Sequence, residues 1–153
     1  MQVAIDTSAA TPTCEMLAER AEVLLPRLRE RAKETEALRR VPQETIEDFR
    51  QAGLFRVFQP KRYGGYELDY ARTQIELCAV LGRACGSSAW VQCVIACHAW
   101  LLGMFPEVAQ DAVWAKNSDA LVGSAFNCDR GSIETVPGGY KLNGQWQFSS
   151  GCD

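Results

Sequence analysis

His98 is the only histidine in this chain of 153 residues, and it stands on an apolar helical stripe. Val94 and Leu102 flank it at four-residue spacing, and Ser87, Val91 and Phe105 continue the same face. A polar ring there must find a hydrogen bond. Two readings follow. In one, a backbone carbonyl satisfies a core histidine. In the other, the ring is a base or hydrogen-bond donor facing a pocket between this helix and a following sheet, roles open to an imidazole with an ordinary pKa of about 6.5. Cys93 and Cys97, one helical turn apart, suggest a redox or metal pair, but their side chains lie parallel on the helix and bridge poorly. They read as small buried side chains. Trp90 and Trp100 read first as core. Ser149-Ser150-Gly151, after an aromatic segment, offers the hydroxyls and free backbone N–H groups of a cofactor loop.

Several chemistries are excluded. One histidine cannot supply two imidazole ligands, and none of the seven cysteines forms a C-x-x-C pair, so no metal site is expected. No G-x-G-x-x-G, G-x-x-x-x-G-K-[ST] or G-x-S-x-G motif occurs, which removes the Rossmann, P-loop and nucleophile-elbow readings. The net charge of −3 argues against a basic nucleic-acid surface. With 47% hydrophobic and 23% charged residues the composition is that of a globular domain. The odd cysteine count and the absence of a signal-peptide pattern over residues 1–13 point to a reducing, cytoplasmic setting.

The elements that must position these residues are mostly helical. Residues 1–13 read as a loose tail. Over 15–40, Leu17, Ala21, Leu24, Leu25, Leu28, Ala32 and Leu38 recur at three and four, which predicts an amphipathic helix with a bend at Pro26 and a solvated face carrying Arg27 and Arg31. Pro42 opens a second helix that Gly53 stops. Residues 54–66 should cross a surface irregularly, and helical spacing returns over 70–84. The segment between Arg83 and Glu107 lacks Asp, Glu, Lys and Arg. Its serines, glutamine, cysteines and histidine, with no positive cluster at its flanks, make it a fully buried central helix of a bundle rather than a membrane span. Pro106 opens a further short helix.

After Asn117 the pattern changes to short β-forming runs at 120–126, 132–136, 140–142 and 145–149. Gly138-Gly139 is a plausible tight turn and Asn143-Gly144 a strong hairpin signal. Alternation would place Trp146 and Phe148 on one face. Four short strands without a closing element form an incomplete sheet, so the chain reads as the front part of a longer protein.

The ordered series Pro60-Lys61-Arg62-Tyr63-Gly64-Gly65-Tyr66, Ala84-Cys85-Gly86-Ser87-Ser88-Ala89-Trp90-Val91, His98-Ala99-Trp100, Gly138-Gly139-Tyr140-Lys141-Leu142-Asn143-Gly144 and Trp146-Gln147-Phe148-Ser149-Ser150-Gly151-Cys152-Asp153 resembles one family. It is similar to the flavin-dependent monooxygenases of acyl-CoA dehydrogenase fold, and within them to the oxygenase components of two-component aromatic hydroxylases. The resemblance covers the chain from about residue 20 onward. It implies a mainly α fold, with an N-terminal helical domain over 14–117 and the start of a middle β-domain over 118–153. A C-terminal bundle that makes the tetramer would lie beyond.

The activity implied is hydroxylation of an aromatic, phenolic substrate by reduced flavin (FMN or FAD) and O2 through a C4a-hydroperoxide, with the flavin supplied by a separate reductase. No nucleic-acid or membrane partner is implied. His98 matches a histidine that faces substrate, with Trp90 beside it. Ser124, Ser149 and the adjacent Ser150 match hydroxyls near the isoalloxazine, and Trp146 an aromatic beside it. Phe126-Asn127-Cys128-Asp129-Arg130 replaces the acid-Pro-x-x-Gly-Ser type loop of the acyl-CoA dehydrogenases proper. Their catalytic glutamate would fall after Asp153. Thioester dehydrogenation and a non-catalytic helical module are the competing readings.

Overall fold

The computed structural model describes residues 11–152. Five helices are followed by one antiparallel hairpin. Helix α1 (Cys14–Leu38) starts where the Thr13 hydroxyl accepts the Met16 N–H at 3.3 Å, and it continues through Pro26. Its Leu17, Ala21, Leu24, Leu25 and Leu28 are buried in the core. It ends at Arg39, whose left-handed backbone (φ 56°) lets its N–H reach the Glu36 carbonyl. Arg27 stays solvent-exposed as expected, whereas Arg31 is half-buried. Both converge on Asp48 of α2 (Gln43–Gln51), at 3.0 and 2.7 Å. The like-charged pair tolerates its own repulsion because one half-buried carboxylate is shared between the two guanidiniums.

Phe55, Val57 and Phe58, expected on a surface, are instead inside, beside Leu54. Leu54 and Val57 are fully buried, and Phe55 and Phe58 nearly so. The segment can be buried without regular strand structure because the chain doubles back. Tyr66 N–H donates to the Arg56 carbonyl and Leu68 N–H to the Val57 carbonyl, both at 2.9 Å, which pairs the backbone polar groups that burial would otherwise penalise.

Helix α3 (Tyr70–Gly82) is capped by Asp69, which accepts the Arg72 N–H at 2.8 Å, and packs Leu77 and Leu81 against α1 and α4. Helix α4 (Gly86–Gly103) is the uncharged one, but it is not buried all round: Trp90 is 60% and Trp100 38% exposed. Among the described residues no helix is long and apolar enough to cross a membrane. Helix α5 (Glu107–Trp114) buries Trp114, whose indole donates to the Ala120 carbonyl at 3.1 Å.

The stretch after Asn117 forms two strands rather than four. Residues 120–126 are an extended connector without strand pairing, held by an Arg56–Asp119 ion pair and by Gln59 Nε2 donating to the Ser118 carbonyl at 2.7 Å. Strand β1 (Cys128–Val136) pairs with β2 (Gly139–Trp146). The turn falls at Pro137-Gly138, with Gly138 at φ +85°. Asn143-Gly144 is therefore no turn: Asn143 pairs with Ser132 and Gly144 with Gly131. The Trp146 ring folds over Gly144, so that a Cβ there would sit 2.5 Å from the indole. Phe148 does not extend the Trp146 face either. The strand stops at Trp146, and Phe148 turns the chain with φ +59°.

Candidate functional site

A cleft of about 740 Å³ opens between the end of α1, the start of α2, the first half of α4 and the loop after β2. This lies in the usual size range of small-molecule sites. Trp90, Val91 and Ile95 form one wall, and Ser149, Ser150 and Gly151 the opposite lip. The two sides are tied together. Trp90 Nε1–H donates to Ser150 Oγ at 3.1 Å, and Gly151 presses against Ile95 and Val91. Gly151 adopts φ +77°, and a Cβ on it would approach the Ile95 side chain to 3.0 Å, so the loop comes this close only because the residue is glycine. The hydrogen bond contributes about 1 kcal/mol, enough to orient the loop and too little to immobilise it alone.

His98 lies one turn beyond Ile95 on α4. It is nearly fully buried, and the Phe126 ring tilts over it with 5.3 Å between ring centres. Its Nδ1 has no hydrogen-bond partner among the described residues. Burial holds its pKa below the ordinary 6.5, opposed by a hydrogen bond to the Val122 backbone. A backbone group that favours the protonated ring is a carbonyl, so the Val122 group accepts from the imidazole. The ring is buried beside a backbone carbonyl, and among the described residues its Nδ1 is buried without a partner.

The structure brings Trp90, Ser149 and Ser150 to one cleft. His98, Ser124 and Trp146 do not line it. Ser124 is a half-buried connector residue, and Trp146 packs on its own hairpin. Cys93 and Cys97 are half-buried and belong to a thiol cluster that sequence spacing alone did not show. Cys93 meets Cys78 of α3, and Cys97 meets Tyr70, which stacks on Trp100 at 4.6 Å. Burial first, then Cys78, pushes the Cys93 thiol up to about 12. The Cys97 hydrogen bond first, then burial, pushes Tyr70 up to about 12. A thiol so disposed stays protonated at neutral pH and is neither nucleophile nor metal ligand. Among the described residues no cluster of side chains could hold a metal ion.

Five helices feeding an antiparallel hairpin, with a cleft at the junction, describe the helical front of a known enzyme class. Residues 11–116 match the N-terminal domain of acyl-CoA dehydrogenase, and the chain belongs to that family. More particularly, it is 41% identical over 139 residues to the oxygenase subunit HsaA of a flavin-dependent monooxygenase from Rhodococcus jostii, covering 88% of this chain and 35% of the relative. It is 38% identical to the oxygenase component of p-hydroxyphenylacetate 3-hydroxylase from Acinetobacter baumannii, covering 96% and 35%. The crystal structure of the HsaA monooxygenase from M. tuberculosis superposes with a TM-score of 0.85 at 34% identity, over 92% of this chain and 38% of that one. The chain therefore spans about a third of the length of these relatives.

Proposed function

We propose that this chain is the N-terminal part of a flavin-dependent monooxygenase that hydroxylates an aromatic, phenolic substrate, with a separate reductase supplying the flavin. Within it, residues 14–117 form the helical domain and 118–153 begin the β-domain of a cytoplasmic protein that is tetrameric at full length. The observation that carries the reading is the Trp90–Ser150 hydrogen bond, which joins a substrate-side helix to a cofactor-side loop across a ligand-sized cleft.

The residues present suit a flavin. Bound reduced flavin, as FMN or FAD, supplies the electrons that activate O2 for transfer of one oxygen atom to the substrate ring. Ser150 Oγ accepts from Trp90 and keeps its own proton free to donate to a ring nitrogen, and Ser149 offers a second hydroxyl. Ser124 is proposed to approach the same ring from the connector, and Trp146 to reach it only by leaving its position over Gly144. Trp90 presents an exposed indole face to an aromatic substrate. His98, neutral at pH 7 and outside the cleft, is proposed to accept a phenolic proton at its buried, unpartnered Nδ1 only when the covering Phe126 ring moves aside.

The test uses a polypeptide in which this segment is continued to the length of its relatives, given reduced flavin, O2 and a panel of phenols. Hydroxylated product is expected. His98→Asn should leave flavin affinity unchanged, lower hydroxylation by about 10² to 10⁴ and divert O2 to hydrogen peroxide. A destabilised but fully coupled variant would refute the role of His98. Failure with every phenol, together with flavin reduction by an acyl-CoA, would overturn the reading.

A further inference from the structure

Arg39 and Arg40 line the α1 end of the cleft. Seven other arginines, Arg27, Arg31, Arg50, Arg56, Arg62, Arg72 and Arg83, hold carboxylates within ion-pair distance, but among the described residues Arg39 and Arg40, like Arg20, Arg29 and Arg130 away from the cleft, hold none. The C-terminus of α1 favours a cation, which accounts for a basic residue there. It does not account for two that both border a cavity. Glu36 is the sole carboxylate on the cleft wall, so the three charged residues leave one net positive charge beside an apolar floor of Trp90, Val91 and Ile95.

That combination suits a flat aromatic body with an anionic tail. We propose that Arg39 and Arg40 form the anion-binding end of this cleft, taking either the phosphate of the flavin or a carboxylate on the aromatic substrate. The assignment of those two sources rests on the reading of the cleft as the flavin and substrate site, whereas anion binding itself does not. A planar guanidinium pairs bidentately with either group.

The test is the rate at which phenylglyoxal modifies each arginine of the 153-residue chain, read by peptide mass spectrometry with exposed Arg29 as internal reference. Inorganic pyrophosphate at about ten times its Kd should slow labelling of Arg39 and Arg40 by roughly tenfold, as occupancy dictates, and leave Arg29 unchanged. Protection by FMN but not riboflavin would locate the flavin phosphate there. Protection by 4-hydroxybenzoate but not 4-methylphenol would locate a substrate carboxylate. Equal labelling of all three arginines with every anion overturns the proposal. Flavin fluorescence, followed in the same samples, separates the two ideas. Flavin quenching without arginine protection sinks the anion site alone, while pyrophosphate protection without flavin quenching supports the anion site and sinks the flavin reading. Arg39→Gln with Arg40→Gln, both at exposed positions, should abolish any preference of FMN over riboflavin without altering the circular dichroism spectrum.

Discussion

The imidazole of His98 lies beneath the ring of Phe126, with 5.3 Å between ring centres, although the histidine is in the middle of α4 and the phenylalanine ends the connector before β1. Phe126 is itself 68% exposed. It therefore serves as a cover rather than as core. Removing it by Phe126→Ala should hydrate the imidazole and move the His98 pKa upward, toward its ordinary 6.5. Because the chain has a single histidine, one proton NMR titration of the ring reads this directly. An unchanged midpoint would show that Val122 and the helix alone set it.

The same depressed pKa predicts how stability varies with pH. Below 6.5 the unfolded chain binds a proton at His98 that the folded chain resists, so the unfolded state holds more protons there. The His98 contribution is complete above 6.5 and is lost as the pH falls through the window between the unfolded and folded values. The melting temperature should drop over that window in the wild type and less so in His98→Asn, after allowing for the offset between the two proteins.

Thiol reactivity should divide by position. Cys128 and Cys152 are exposed, whereas Cys93 is half-buried and pushed up to about 12. Timed alkylation at pH 7.5 should label the exposed pair first and Cys93 more slowly by a factor of ten or more in rate, with buried Cys14 and Cys85 protected as well. Early labelling of Cys93 would mean that α3 and α4 separate in solution.

Gly65→Ala should be far more damaging than its size suggests. A Cβ at Gly65 would fall 1.9 Å from the Gln59 carbonyl oxygen, a backbone atom that cannot move aside without opening the doubled-back segment 54–68. The expected cost is about 3 kcal/mol or more, at the upper end for overpacking, measurable by urea denaturation. Gly82→Ala, where a Cβ meets nothing within 4 Å, is the matched control and should be neutral or slightly stabilising.

The hairpin has one apolar face made by Ile133, Tyr140, Leu142 and Trp146, and all four are exposed. An uncovered patch of this kind promotes association. Sedimentation of the chain at tens of micromolar should show self-association that Ile133→Lys with Leu142→Lys reduces. A monodisperse monomer for the unmodified chain would contradict this.

What could be read from the sequence was what depends on near neighbours. The apolar spacing in α1, the prolines at 42 and 106, the stop at Gly53 and the uncharged length of α4 are local, because helical hydrogen bonds and side-chain stripes span only three or four residues. The ordered motifs likewise carried the family. The β segment was harder. Asn143-Gly144 has the composition of a turn, but Pro137-Gly138 closes the hairpin, and the register that follows sets Gly144 opposite Gly131 with Trp146 folded over it. Register depends on pairing between strands and not on the preference of one dipeptide.

Tertiary structure alone decided which residues meet. Asp48 gathers Arg27 and Arg31, Phe126 covers His98, and Trp90 holds Ser150 60 positions away in the chain. None of these contacts leaves a periodic trace, since each joins segments whose spacing is set by the intervening fold. The same holds for burial of Phe55, Val57 and Phe58, where nearby Pro60, Gly64 and Gly65 suggest a surface run and doubled-back hydrogen bonds allow an interior. Residue types along the chain supplied an imidazole, an indole and two hydroxyls, and packing of the connector and the final loop on α4 determined that the indole and the hydroxyls share a cleft while the imidazole stands one turn away, closed over by a phenyl ring.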